Sequence, residues 1–177
     1  HAALALAKKG YVVYAGCRKE SDMASLKAEG IDTLVPVLVD VTDQATISAL
    51  YTHVQQDLAT RAPAPLPLVA VVSNAGIACM SPVELMAMDK AKECFEVNYF
   101  GSMRFIQTFL PALREAPGQG ARIVQISSIA GLVTASGIGV YLWVGKVATA
   151  HTRRTPASHS RLPLRAVRAA GGRQRRR

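Results

Sequence analysis

The stretch LVAVVSNAG, residues 68–76, decides the fold. Leu68, Val69, Val71 and Val72 make a short apolar run, and Ser73, Asn74 and Gly76 end it in a turn. Such a run bounded by turn residues reads as a strand buried on both faces. Three more segments share the pattern: YVVYAG at 11–16, TLVPVLVDVTD at 33–43 and ARIVQISS at 121–128. Between them lie stretches that read as helices: AALALAKKG at 2–10, ESDMASLKAEG at 20–30 with Ser21 as its N-cap, and QATISALYTHVQQDLA at 44–59 capped by Thr42 or Asp43. Residues 61–67, RAPAPLP, form a proline-broken linker, and PGQG at 117–120 is a loop. Residues 81–116 are mostly helical, with a long amphipathic part from about Asp89 to Arg114. Apolar strands alternating with helices imply a parallel sheet covered on both faces.

Ligands of such sheets bind beyond the carboxyl ends of the strands. The four strands end in GCR at 16–18, DVTD at 40–43, SNAG at 73–76 and SSIAG at 127–131. Each delivers glycine or polar residues to one edge, which reads as a built site.

Composition bounds the rest. The chain has 177 residues, half of them hydrophobic, enough for one domain with a real core. No apolar run reaches the roughly 18 residues that span a bilayer. In HAALALAKKG the charges follow the apolar run, whereas a signal peptide has them before it. Cys17, Cys79 and Cys94 are odd in number and widely spaced, as suits a reducing compartment, and no histidine has metal-ligand spacing. The expected location is intracellular, either cytoplasmic or membrane-associated. The net charge of +9 is confined to residues 147–177, which hold nine arginines and no acidic residue. Residues 1–146 carry 12 basic and 12 acidic side chains and are neutral. The tail lacks Ile, Met, Phe, Tyr and Trp and is interrupted by proline, so it is expected to be disordered.

SNAG at 73–76, VNYFG at 97–101, ISS at 126–128 and Tyr141 resemble, in order and spacing, the short-chain dehydrogenase/reductase family, and DVTD at 40–43 is similar to its adenine-pocket segment. VYAGCR and the pattern PVELM…NYFGSMRFIQTFLPALR resemble the branch acting on steroids and retinol. The resemblance implies an α/β fold with a doubly wound parallel (Rossmann-like) sheet. It implies an oxidoreductase interconverting an alcohol and a ketone or aldehyde on an apolar steroid-, retinoid- or lipid-like substrate. In that chemistry a tyrosine moves a proton while hydride passes to or from a nicotinamide. A free phenol, with a pKa near 10, needs a neighbouring ammonium to serve as a base. The implied catalytic residues are Asn98, Ser128, Tyr141 and Lys146: Ser128 for the substrate oxygen, Asn98 for a relay water. The implied cofactor residues are Arg18, Asp40, Val41, Asn74, Ala75 and Gly76, together with Tyr141 and Lys146. Arg18 suits a 2′-phosphate, so NADP is expected before NAD, which usually meets an acidic residue there. Each feature also has a plainer reading: Ser127–Ser128 as a turn, Asn98 as a helix cap, Arg18 as a solvated loop charge.

Two departures mark the resemblance. The family's first strand and glycine-rich TGxxxGxG turn would precede position 1. That strand belongs between YVVYAG and LVAVVS, so the sheet is expected to be incomplete there, with two unpaired edges, and to lack the C-terminal strands. The family pattern is also Tyr-x-x-x-Lys, whereas here Gly145 is fourth after Tyr141 and Lys146 is fifth. Residues four apart on a helix differ by about 40° in direction, and residues five apart by about 140°. A one-residue bulge would restore the alignment. The chain therefore divides into a partial dinucleotide-binding domain, 1–146, and a basic tail, 147–177. The change near 141–146 is read as an out-of-frame end or altered splice junction, or else as an authentic divergent tail. Whether the chain turns over substrate by itself stays open. Two other functions stay open too. One is a non-catalytic fragment joining a full-length relative, or a homo-oligomer, through the helix from about Asp89. The other is a neutral domain whose tail binds nucleic acid or an anionic membrane; of the two, a peripheral membrane contact is preferred to nucleic acid.

Overall fold

The computed structural model describes residues 2–61, 64–116, 121–132, 139–141 and 144–145. Lys146 and the basic tail lie outside them. The elements run α1 (Ala2–Ala7), β1 (Val13–Cys17), α2 (Glu20–Lys27), β2 (Leu34–Leu38), α3 (Gln44–Thr60), β3 (Ala70–Ser73), α4 (Met88–Phe95), a π-helical segment (Glu96–Gly101), α5 (Ser102–Glu115) and β4 (Arg122–Gln125). Short 3₁₀ turns cover Val83–Leu85 and Ile129–Gly131. The α2 cap differs from expectation. Lys19 is the N-cap and offers no side-chain hydrogen bond, and Ser21 lies inside the first turn. For α3 the expected cap is present: the Asp43 carboxylate accepts from the Ala45 N–H at 2.8 Å.

The strands form two parallel pairs, β1 with β2 and β3 with β4. Their edges follow from the period-2 alternation of backbone groups. Val13 N–H and Cys17 C=O bond to the β2 side, so the intervening groups of Tyr14 and Gly16 point the other way. Val69 C=O and Ser73 C=O bond to the β4 side, so the groups of Ala70 and Val72 point away from β4. No other described strand pairs with these two edges, which are the ones expected to lie open. Pro36, central in β2, puts its missing N–H on the side away from β1, where a ladder has no use for it.

One helical layer serves both pairs. On α3, Ile47, Leu50, Val54 and Leu58 recur at helical spacing and are buried. They join Val37 of β2, Val71 of β3, and Phe109 and Leu113 of α5 in one core. Tyr51 and Phe109 meet edge to face at 5.4 Å. The opposite face of the β1–β2 pair is closed by a second cluster, in which Ala7 of α1 packs on Ala15 and Leu34 with Leu4 and Leu26 beside them. Val72, on the corresponding face of β3, stays 39% exposed.

Candidate active site

The long helix from Met88 to Glu115 is continuous, but its hydrogen bonding widens over Glu96–Gly101. Such π turns are rare and gather at functional sites. Here the wide turn carries Asn98. Its Oδ1 accepts from Ile77 N–H at 2.7 Å, and its Nδ2 donates to Ile77 C=O at 2.8 Å. One side-chain amide thus pairs with the peptide of Ile77 as a neighbouring strand would. Gly76 makes room for it: a Cβ there would lie 3.3 Å from Asn98 Oδ1. Asn74, Ala75 and Gly76 are exposed beside this clamp. Below them Ser73 and Ser102, both buried, share a hydroxyl hydrogen bond of 3.0 Å.

Three residues on, Gly101 meets the end of β2. A Cβ at Gly101 would come within 2.7 Å of Val41 Cγ2 and 3.1 Å of its carbonyl oxygen. The two motif residues of VNYFG therefore divide their tasks, Asn98 holding the segment after β3 and Gly101 admitting the segment after β2. The π segment places both strand ends at one edge. The β2 side is stiffened by Asp40, whose Oδ1 accepts from Thr42 N–H at 2.8 Å and Thr42 Oγ1 at 2.7 Å. Thr46 Oγ1 accepts from Asp40 N–H at 3.1 Å and donates to its carbonyl at 2.9 Å. The Thr42 hydrogen bonds hold the Asp40 carboxyl below the usual carboxylate range, and the nearby Arg18 guanidinium adds to this. Arg18, Asp40 and Val41 thus lie together at the β1–β2 end.

Ser128 caps the turn after β4, its Oγ accepting from Ala130 N–H at 3.2 Å. Gly145 packs on this turn, and a Cβ there would lie 3.1 Å from Gly131 N and 3.2 Å from Gly131 Cα. The segment that bears Tyr141 therefore docks against the turn that Ser128 begins. Val140 and Val144 are buried with Ala91 and Cys94 of α4, and Tyr141 packs half-buried against that cluster. Among the described residues no hydrogen bond joins Tyr141 to Ser128 or Asn98. Beside Val140 an apolar cavity of about 490 Å³ is lined by Val83, Met86, Met88, Phe95 and Phe100, with Lys92 and Glu96 also in its wall.

The family model for short chain dehydrogenases matches residues 1–157. The chain belongs to the short-chain dehydrogenase family. Human dehydrogenase/reductase SDR family member 9 is 31% identical over 133 residues, which are 75% of this chain and 39% of that protein. Human 17-beta-hydroxysteroid dehydrogenase type 2 is 33% identical over 125 residues, 69% of this chain and 30% of that protein. The chain thus spans well under half the length of these relatives. The crystal structure of a short-chain dehydrogenase from Streptomyces avermitilis superposes with a TM-score of 0.73 at 25% identity, covering 86% of this chain and 54% of that one.

In this short-chain dehydrogenase chain the sequence-assigned residues fall into linked groups. Asn98 joins Gly76 and the exposed Asn74–Ala75, Gly101 joins Val41 and so Asp40 and Arg18, and Gly145 joins Tyr141's segment to Ser128's turn. Sequence reasoning missed three partners. Thr42 fixes Asp40, and an Asp-x-Thr turn was the available signal. The Ser73–Ser102 bond had none, because 29 residues separate the two. Cys79 and Cys94, notable in the sequence only for their wide spacing, both contribute to the cluster under Tyr141. Met86 and Met88 line the cavity.

Proposed function

We propose that the chain serves an NADP-preferring oxidoreductase that interconverts an alcohol and a ketone or aldehyde on an apolar substrate. The observation that carries this reading is the single edge where the π segment gathers Arg18–Asp40–Val41 on one side and Asn74–Ala75–Gly76 on the other. A dinucleotide fits these residues. The 74–76 segment is exposed and ends in a glycine whose side-chain space Asn98 occupies, and Arg18 puts a cation where Asp40 is already held as the anion. When bound, NADP supplies hydride transfer. Arg18 would hold the 2′-phosphate, Asp40 and Val41 would border the adenine, and the 74–76 backbone would meet the ribose. The Ser128 oxygen already accepts a hydrogen bond, which leaves its own proton to donate to the substrate oxygen. Tyr141 would give or take the proton at that same oxygen, helped by Lys146. The apolar cavity beside Val140, and the steroid named for one relative, support an apolar substrate.

Calorimetric titration of NADPH and NADH into the chain and its Arg18→Asp variant tests the reading. The variant loses NADPH affinity by roughly tenfold or more, the value of a charge-assisted phosphate contact of about 1.5–3 kcal/mol, and keeps its NADH affinity. Equal loss of both returns Arg18 to a solvated loop charge. Ketone reduction that persists in Tyr141→Phe overturns the catalytic assignment.

A second reading, self-association through the helix from Met88, is favoured by the exposure of Leu85, Met88 and Phe100 on and before it. Light scattering across a dilution series distinguishes a dimer from a monomer.

A further inference from the structure

The cluster under Tyr141 contains two thiols from different segments. Cys94 lies on α4 and is fully buried, and Cys79 lies in the loop after the Asn98 clamp, partly buried against the same cluster. Their sulfurs converge over one turn of helix. Cys79 Sγ donates to the Lys90 carbonyl at 3.7 Å, and Lys90 and Cys94 are four residues apart, on one face of α4. Helical side chains lean toward the N-terminus, which carries the Cys94 sulfur back toward that carbonyl. From the other side Asn98 Nδ2 reaches Cys94 Sγ at 3.5 Å. Cys17 is buried in β1, in a part of the fold that shares no cluster with them.

We propose that Cys79 and Cys94 are a modification site: a dithiol that a small-molecule disulfide oxidises to an intramolecular disulfide, cross-linking the loop after Ile77 to α4. Burial, and then the hydrogen bond with the Cys79 thiol, push the Cys94 thiol up to about 12. Cys94 is thus held as a thiol, and Cys79, the more exposed of the two, is the point of entry. The Cys79 thiolate attacks one sulfur of the reagent, the reagent's S–S bond breaks, and one thiolate leaves. Cys94 then attacks the Cys79 sulfur, the bond from Cys79 to the reagent breaks, and the Cys94 proton passes to the departing sulfur, so the second half of the reagent leaves as a thiol. Two protein thiols are oxidised and one disulfide is reduced to two thiols. The cross-link closes a loop that contains the Val83–Leu85 turn and the start of α4, next to the residue that clamps Ile77.

The test treats the full chain with oxidised glutathione, alkylates remaining thiols and maps tryptic peptides. Cleavage after Lys90 and Lys92 puts the two cysteines on separate peptides. The expected product is a peptide pair joined through Cys79 and Cys94, with the mass of two hydrogens lost and full reversal by dithiothreitol. The oxidised chain also melts several degrees higher, because the closed loop constrains the unfolded state. In Cys94→Ser the reaction stops at a glutathione adduct on Cys79. In Cys79→Ser, Cys94 remains an unmodified thiol. A wild-type chain that stops at a Cys79 adduct, or that cross-links through Cys17, overturns the proposal. Neither readout depends on nucleotide binding or turnover, so failure here is distinct from failure of the oxidoreductase reading.

Discussion

The two strand pairs are held in different ways. The β1–β2 pair is covered on both faces, by α1 and α2 on one and by the α3–α5 core on the other. Its carboxyl end is a self-contained turn in which Asp40, Thr42 and Thr46 satisfy one another. The β3–β4 pair is covered on the α5 side, with Val72 exposed on the other, and its edge is held by a side chain from a distant helix turn. One half thus carries its order locally, and the other borrows it from the π segment. The lesson concerns coupling: the 74–76 segment can be loosened without disturbing the Asp40 turn, whereas a change at the join between the halves reaches both.

Gly101 is that join, and substituting it has the largest expected effect. In Gly101→Val the new Cβ falls 2.7 Å from Val41 Cγ2 and 3.1 Å from its carbonyl oxygen, and one of those neighbours is backbone. Overpacking of this kind costs about 1–3 kcal/mol and shifts the backbone. Thermal denaturation should show the loss, and amide exchange should rise both at Val41–Asp43 and at Asn74–Ile77. Exchange that rises on one side alone would mean that the π segment does not couple the halves.

Asn98→Ala should produce a smaller effect, confined to one half. It leaves Ile77 N–H and C=O without their partner, a loss of about 1–3 kcal/mol if water does not replace the amide. Exchange at Ile77 should accelerate while the protection of Thr42 stays as it was. Equal acceleration at Thr42 would show that the Asp40 turn depends on the clamp and is not self-contained.

The sequence made some of this legible and hid the rest for physical reasons. Strand endings in SNAG and DVTD are local signals, and so is the Asp43 cap, so the element order and the parallel pairing could be read from them. The widening of the helix at Glu96–Gly101 has no local signature. It coincides with contacts far apart in the chain, Gly101 with Val41 and Asn98 with Ile77, which span 60 and 21 positions. The Tyr141–Lys146 register, for which a bulge was considered, lies partly outside the described residues, and the π turn around Asn98 is a separate feature. Ser21 misled because a serine near a helix start favours the cap position, whereas here the cap falls two residues earlier, at Lys19, and α2 starts at Glu20.

The smallest expected effect tests the other half. Tyr14 of β1 donates its hydroxyl to Asp57 of α3, which also accepts from Arg61 at 2.7 and 2.9 Å. His53 packs edge-on to the ring at 6.1 Å. Burial, followed by the Asp57 hydrogen bond, raises the Tyr14 phenol from 10.0 to about 12. The folded chain therefore holds that proton more tightly than the unfolded chain does. The resulting stability is fully present below pH 10, the unfolded value, and is lost as pH rises toward 12. Tyr14→Phe removes one hydrogen bond from a network whose Asp57–Arg61 pair survives, so the loss near neutrality should be only about 1 kcal/mol. The informative measurement is the difference in stability between wild type and variant as pH is raised. That difference should shrink through the window from 10 to 12, because wild type alone loses a proton-linked contribution there. A gap that stays constant across the window would mean that the phenol titrates alike in the folded and unfolded chains. The tie between β1 and α3 would then rest on packing of the Tyr14 ring alone.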